Sequence, residues 1–277
     1  MADEHLRPIP AVRSTLSYRI EPGESPTGHG YQIDVELPGR YGHQSDKTYP
    51  LVVVLDGLWI AGTVRDAFRI LPLGQELPEA IVATVTHTEP DIRQVVQERA
   101  VDFTPTMFTS PAETGVRLPA EQLGKAARFR EFLLGQVIPG VENQTRTDGT
   151  RTLVGHSFSG LFGLDTLFAE PSAFHRWVLT SPSVWWDNQI IFQTESAYAR
   201  TNDDLAGEVF LSIGEHESTG PYAGHKLFFQ QLRSRQYPSL RLTWHEFPAE
   251  SHQSVIAASV TRGLRTVFDR SEPASTG

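Results

Sequence analysis

The chain has 277 residues, 39% of them hydrophobic and 21% charged, so it can bury a sizeable core and is not disordered by composition. A formal net charge of -9 argues against nucleic acid and anionic membrane as partners, because both would repel it. The absence of cysteine excludes disulfides, thiolate metal sites and a cysteine nucleophile. No stretch approaches the roughly 20 apolar residues of a membrane span. The N-terminus, MADEHLRPIPAVRS, has neither the basic start nor the apolar run of a signal peptide, so the expected location is the cytoplasm.

Segments 15–20 and 31–37 alternate apolar and polar residues, as antiparallel strands near a sheet edge do. The pattern then changes. Leu51-Val52-Val53-Val54-Leu55 is a continuous apolar run rich in β-branched residues, expected of a central strand covered on both faces. Similar runs at 80–85, 152–154, 177–179 and 209–213, and a last strand at 240–247, alternate with helical patterns at 120–141, 161–169, 222–235 and 254–268. Strands alternating with helices predict a mainly parallel sheet with helices on both faces, in one α/β domain over 1–277. Segment 86–119 is proline-punctuated and polar and fits neither period, so it reads as a long loop or lid contributing to a substrate site. The small polar tail from about residue 270 reads as loose.

The sharpest local signal is Leu153-Val154-Gly155-His156-Ser157-Phe158-Ser159-Gly160-Leu161. An apolar strand runs into a serine flanked by small residues, with a helix following, which is what a nucleophile elbow requires. Gly155 fits the G-x-S-x-G pattern, but its last position holds Ser159, with Gly160 one further on. The bland alternative is a strand–turn–helix with a capping serine. A serine hydroxyl needs a base to take its proton. His252 lies between the last strand and the last helix, where such a base belongs, whereas His156 reads as structural and His245 sits within a strand.

The acid is expected after the strand at 209–213. There Glu217 stands three residues beyond Gly214, with Glu215 as the alternative. Glu215, His216 and Glu217 could suggest a metal site, but no second cluster has ligand spacing, so neither a metal nor an organic cofactor is expected. The oxyanion hole should combine the backbone amide of Phe158 with that of Leu58, on the turn Leu55-Asp56-Gly57-Leu58.

Taken together, these segments resemble the Putative esterase family of α/β-hydrolases, which includes enterochelin and other siderophore esterases and is related to S-formylglutathione hydrolases. The resemblance rests on Tyr49-Pro50, Leu55-Asp56-Gly57, Arg99 with Asp102-Phe103-Thr104-Pro105, and Gly155-His156-Ser157. It continues through Ser181-Pro182-Ser183-Val184-Trp185-Trp186, Ser212-Ile213-Gly214-Glu215 and His252. It implies an α/β-hydrolase fold and hydrolysis of a small-molecule carboxylic ester by a Ser157–His252 pair with an acidic third member. Aromatic or siderophore-like esters are the expected substrates. Ser159 is the main departure from the family's pattern.

Trp185 and Trp186 follow a strand end at the edge where such sheets bind ligands. They are candidates for an aromatic substrate wall, with at least one expected to be buried. Arg99 and Asp102 are expected to pair, and Arg65, Arg69, Arg93 and Arg99 are candidates for a basic patch facing an anionic substrate. Two other readings use the same residues: an acyltransferase sharing the acyl-enzyme, and a binding module that retains the fold without the chemistry.

Overall fold

The apolar runs become one eight-stranded sheet in the computed structural model, which describes residues 15–107, 120–217 and 224–269. The strands are β1 (Thr15–Ile20), β2 (Tyr31–Glu36), β3 (Tyr49–Val54), β4 (Ile81–His87), β5 (Thr147–His156), β6 (Arg176–Thr180), β7 (Gly207–Gly214) and β8 (Leu240–Phe247). Their order across the sheet is β1-β2-β4-β3-β5-β6-β7-β8. The β1–β2 and β2–β4 pairs are antiparallel, and every other pair is parallel. The two alternating strands thus take the edge and its neighbour, while the continuous apolar runs take the centre.

The helices are α1 (Gly57–Ile70), α2 (Ile92–Phe103), α3 (Ala126–Phe132), α4 (Ile138–Glu142), α5 (Phe158–Ala169), α6 (Trp186–Ala199), α7 (His225–Ser234) and α8 (Val255–Val267). They divide between the faces as strand pleating dictates. Val52 and Val54 face a cluster built with Ile60 and Val64 of α1 and Val260 and Leu264 of α8. Leu51 and Val53 face the larger cluster, with Phe103, Phe129, Leu161, Phe162 and Phe228 from α2, α3, α5 and α7. Both faces of β3 are therefore buried, which is why its sequence is apolar throughout.

The direction in which strands are added to the sheet reverses around β3. The connection through α1 leads to β4 on one side, and the connection through α2, α3 and α4 leads to β5 on the other. The carboxyl ends of β3 and β5 thus lie side by side at a topological switch point, where sheets of this kind bind ligands.

Three helices, α1, α2 and α6, go beyond the expected elements. Segment 86–119 is in part not a loop: β4 runs on to His87 and α2 occupies Ile92–Phe103, while residues 108–119 lie outside the described residues. The apolar period of α2 was hidden because its buried face carries Arg99 and Asp102 among Val95, Ala100, Val101 and Phe103. The single helix expected over 120–141 is broken. A 3-10 turn (Ala120–Gln122) comes first, and α3 passes into α4 through a π turn at Leu133–Val137. Pro139 has no N–H to continue the i→i−4 ladder, and the π turn absorbs that missing bond. The tail from 270 onward lies outside the described residues. No helix among the described residues is long and apolar enough to cross a membrane.

Helix α8 approaches the sheet closely because Gly263 has no side chain. A Cβ there would stand 2.5 Å from Val178 Cγ1 and 2.7 Å from Phe210 Cδ1. Gly263→Val is expected to lower stability by about 1–3 kcal/mol, read as a lower urea midpoint at unchanged m-value.

Candidate active site

At the end of β5 the backbone turns sharply. Ser157 has φ 61° and ψ -117°, a conformation an L-residue adopts only under strain, and α5 starts at the next residue. The turn closes because Gly155 is bare: a Cβ there would lie 2.5 Å from the Ser159 carbonyl oxygen. Backbone bonds hold the strain in place. Ser157 N donates to Thr180 O at 3.0 Å, and Ser183 N donates to Ser157 O at 3.1 Å. The Ser157 hydroxyl is thereby presented at the carboxyl edge of the sheet.

Two loops bring partners to it. His252 lies between β8 and α8, with Nε2 3.0 Å from Ser157 Oγ. Its Nδ1 meets Glu217 Oε2, so the ring carries its proton on Nδ1 and offers the Nε2 lone pair to the serine. Glu217 ends a 3-10 turn after β7 and is 7% exposed. Its Oε1 accepts from Ser181 Oγ at 2.8 Å and from Gly214 N at 3.0 Å. Burial pushes the Glu217 carboxyl up, but the hydrogen bond and charge of His252, with the Gly214 and Ser181 donors, outweigh it and hold the group below its ordinary value. Glu215 does a different job. It accepts from Ala249 N at 2.7 Å, and His216 N donates to Glu250 O at 3.0 Å, so the two loops are stitched together beside His252.

His156 is buried with its ring 4.6 Å from that of His252, and its Nδ1 lies 2.9 Å from Thr180 Oγ1. Burial, the neighbouring His252 and the charge of Arg99 push it down to about 3, so it stays neutral at physiological pH. His245 packs edge-on against Phe247 within β8.

Beneath the elbow lies a polar group that the sequence left unread. Asp56 follows β3 with φ 54° and is 3% exposed. Arg99 donates to both its oxygens, Nε to Oδ1 at 2.9 Å and Nη2 to Oδ2 at 2.7 Å. Ser159 Oγ donates to Oδ2 at 2.6 Å and accepts from His156 N at 2.8 Å. Burial raises the Asp56 carboxyl, but the charge and hydrogen bonds of Arg99 and the Ser159 hydroxyl bring it below its usual range. The serine that departs from G-x-S-x-G thus ties the elbow to the β3–α1 turn. Phe158 N and Leu58 N both lie in the first turn of a helix, α5 and α1, where N–H groups point away from the helix body.

The expected Arg99–Asp102 pair does not form. Arg99 turns to Asp56, and Asp102 instead accepts from Tyr31, His87 and His29. Three of the four candidates for a basic patch are engaged by carboxylates. Arg65 and Arg69 pair with Asp34, Glu36 and Asp66, and Arg99 is 8% exposed. The acidic β2 side chains that pair with Arg65 and Arg69 are 29 or more positions away in sequence, so spacing could not reveal the pairing.

The tryptophans separate. Trp186 is 1% exposed, packs edge-on against Phe158 at 5.4 Å, and donates from Nε1 to Thr106 Oγ1 at 3.2 Å. It therefore backs the site, and of the two only half-buried Trp185, 6.1 Å from the Phe158 ring, keeps a surface for a ligand.

A family model described as Putative esterase matches residues 25–248. The chain belongs to the Putative esterase family. Among curated proteins, this esterase is 25% identical to the siderophore triacetylfusarinine C esterase of Aspergillus fumigatus, covering 95% of each chain. It is 27% identical to the ferri-bacillibactin esterase BesA of Bacillus subtilis, covering 78% of each. Among solved structures, the BES protein of Bacillus cereus superposes with a TM-score of 0.81 at 26% identity, over 97% of this chain and 99% of that one. The fold is that of the α/β-hydrolases, and the esterase is a carboxylic ester hydrolase.

The esterase's use of Ser159 has a measurable cost when removed. Ser159→Ala takes a donor from buried Asp56 and an acceptor from His156 N, so a loss of about 1–3 kcal/mol in stability is expected. An unchanged denaturation midpoint would show that the hydroxyl carries none of this.

Proposed function

We propose that the esterase cleaves siderophore esters through an acyl-enzyme on Ser157. The observation that carries this reading is the continuous row from Ser157 Oγ through His252 to the buried Glu217 carboxylate. The names of the relatives, siderophore esterases acting on triacetylfusarinine C and ferri-bacillibactin, supply the substrate class.

In the first half-reaction His252 Nε2 takes the proton from Ser157 Oγ as the oxygen attacks the ester carbonyl carbon. Negative charge develops on the carbonyl oxygen, and the amides of Phe158 and Leu58 are placed to receive it. His252 then returns the proton to the departing alkoxide, and the alcohol leaves. Water, deprotonated by the same nitrogen, attacks the acyl-serine, and collapse of the second tetrahedral intermediate releases the acid and restores Ser157. Glu217 keeps the imidazole in the required tautomer and stabilises its charged form, with Ser181 and Gly214 N holding the carboxylate. No step requires a cofactor. The exposed side chains of Leu58 and Trp59 and the half-buried Trp185 provide an apolar surround suited to an acyl or aryl group. With Arg65, Arg69 and Arg99 engaged by carboxylates, affinity for a strongly anionic ligand does not come from these residues.

Purified protein and its Ser157→Ala variant should be incubated with p-nitrophenyl butyrate, triacetylfusarinine C and ferri-bacillibactin. Hydrolysis of at least one siderophore, lost in the variant, is expected. Cleavage of the nitrophenyl ester alone would reject the siderophore assignment and keep the serine esterase, whereas turnover by Ser157→Ala would reject the nucleophile. Glu217→Gln is expected to lower kcat by about 10²–10⁴, with KM little changed. A kcat within twofold of wild type would reduce the row to a serine–histidine pair.

A further inference from the structure

Four side chains that this reaction does not use meet where the β1–β2 connection, the end of β4 and α2 come together. His29 belongs to the connection, His87 ends β4, and Glu98 and Asp102 stand one turn apart on α2. Asp102 is 0% exposed and accepts three hydrogen bonds, from Tyr31 Oη at 2.5 Å, His87 Nε2 at 2.8 Å and His29 Nδ1 at 2.9 Å. One nitrogen of each imidazole is thereby committed to a shared carboxylate. Proteins orient metal-binding histidines in this way, with the partner fixing the tautomer and the second ring nitrogen left for the ion.

Glu98 supplies a third donor. One ligand atom from each of His29, His87 and Glu98 lies within 4.8 Å of the other two. Tetrahedral zinc with bonds of about 2.0–2.1 Å separates its ligands by roughly 3.3 Å, so binding would draw all three donors inward. Glu98 also has an unmet need. Its Oε2 is buried without a hydrogen-bond partner, and its Oε1 is only 3.5 Å from Gln94 Nε2. A buried carboxylate oxygen left unpaired is costly, and a cation would satisfy it. Among the described residues the ion-pair partners of Asp102 are the two histidines, with no lysine or arginine paired to it.

We propose that His29, His87 and Glu98 bind one divalent transition-metal ion of the zinc type, with Asp102 orienting the two imidazoles. Two imidazoles and one carboxylate suit zinc better than calcium or magnesium, which require sets dominated by oxygen. The His29 side chain, 18% accessible, gives the ion a route in. The ion acts as a structural clamp. It joins three segments distant in sequence and fixes α2 one residue before Arg99, the partner of Asp56 beneath the elbow.

Chelator-treated protein should be titrated with zinc chloride by calorimetry, with bound zinc counted by elemental analysis after gel filtration. One zinc per chain is expected. Affinity should fall at least tenfold in His29→Ala and in Glu98→Gln and stay unchanged in His43→Ala, whose side chain is exposed elsewhere. At a hundredfold excess over Kd the melting temperature should rise by roughly 5 °C. Circular dichroism confirms that each variant is folded, and having two variants covers the failure of one. Absence of stoichiometric zinc, or equal affinity in His29→Ala, would overturn the proposal and leave a purely hydrogen-bonded histidine–aspartate group. The readout is bound metal, so it stands apart from ester turnover.

Discussion

The site depends on a carboxylate that cannot be left alone. Asp56 sits at the end of the central strand β3, almost fully buried, and an unpaired ion there would cost several kcal/mol. Arg99 covers it with a two-pronged ion pair, and Ser159 adds a third donor. Meeting that requirement fixes three separate pieces at once. Helix α2 must lie over the carboxyl edge of the sheet to deliver Arg99, the first turn of α5 must face β3 to deliver Ser159, and the β3–α1 turn carrying Leu58 must sit beside the elbow. The guanidinium also lies 5.2 Å from the Phe158 ring and 5.1 Å from the Trp59 ring, so the aromatic surround is anchored to the same charge.

The strain at Ser157 becomes tolerable within this frame. Its positive φ costs about 1–3 kcal/mol, and the backbone bonds to Thr180 and Ser183 with the close packing over Gly155 leave the turn no relaxed alternative. A second close approach positions Glu217. A Cβ on Gly214 would stand 2.5 Å from the Glu250 carbonyl oxygen, so the bare residue lets the β7 and β8 loops touch. Glu215 then bonds across that contact, while Glu217 turns inward beneath His252. Two carboxylates separated by one residue thus take separate tasks because the short 3-10 turn points them in different directions.

The same logic separates the two histidines nearest the serine. His156 precedes Ser157 in the chain, yet it is buried against Thr180 and kept neutral, whereas His252 is partly open and holds the only imidazole nitrogen within 3.0 Å of the hydroxyl among the described residues. Adjacency in sequence and adjacency in space are different quantities at a strained turn.

By itself the sequence determined the α/β layering, the central position of the β3 run, the tight turn at Ser157 and the place of His252 between the last strand and the last helix. Each of these rests on local properties: apolar period, β-branched runs, small residues at a tight turn, and place in the strand order. It did not reveal α2 as a helix, because the buried face of α2 is partly polar, nor the break at Pro139, because the apolar spacing runs on through it. Only the tertiary structure decided that Glu217 meets His252 while Glu215 staples loops, and that Arg99 pairs with Asp56 while Asp102 pairs with His29 and His87. The physical reason is common to all of these. The partners lie 15 to 73 residues apart, and which buried charge meets which donor depends on how the elements pack.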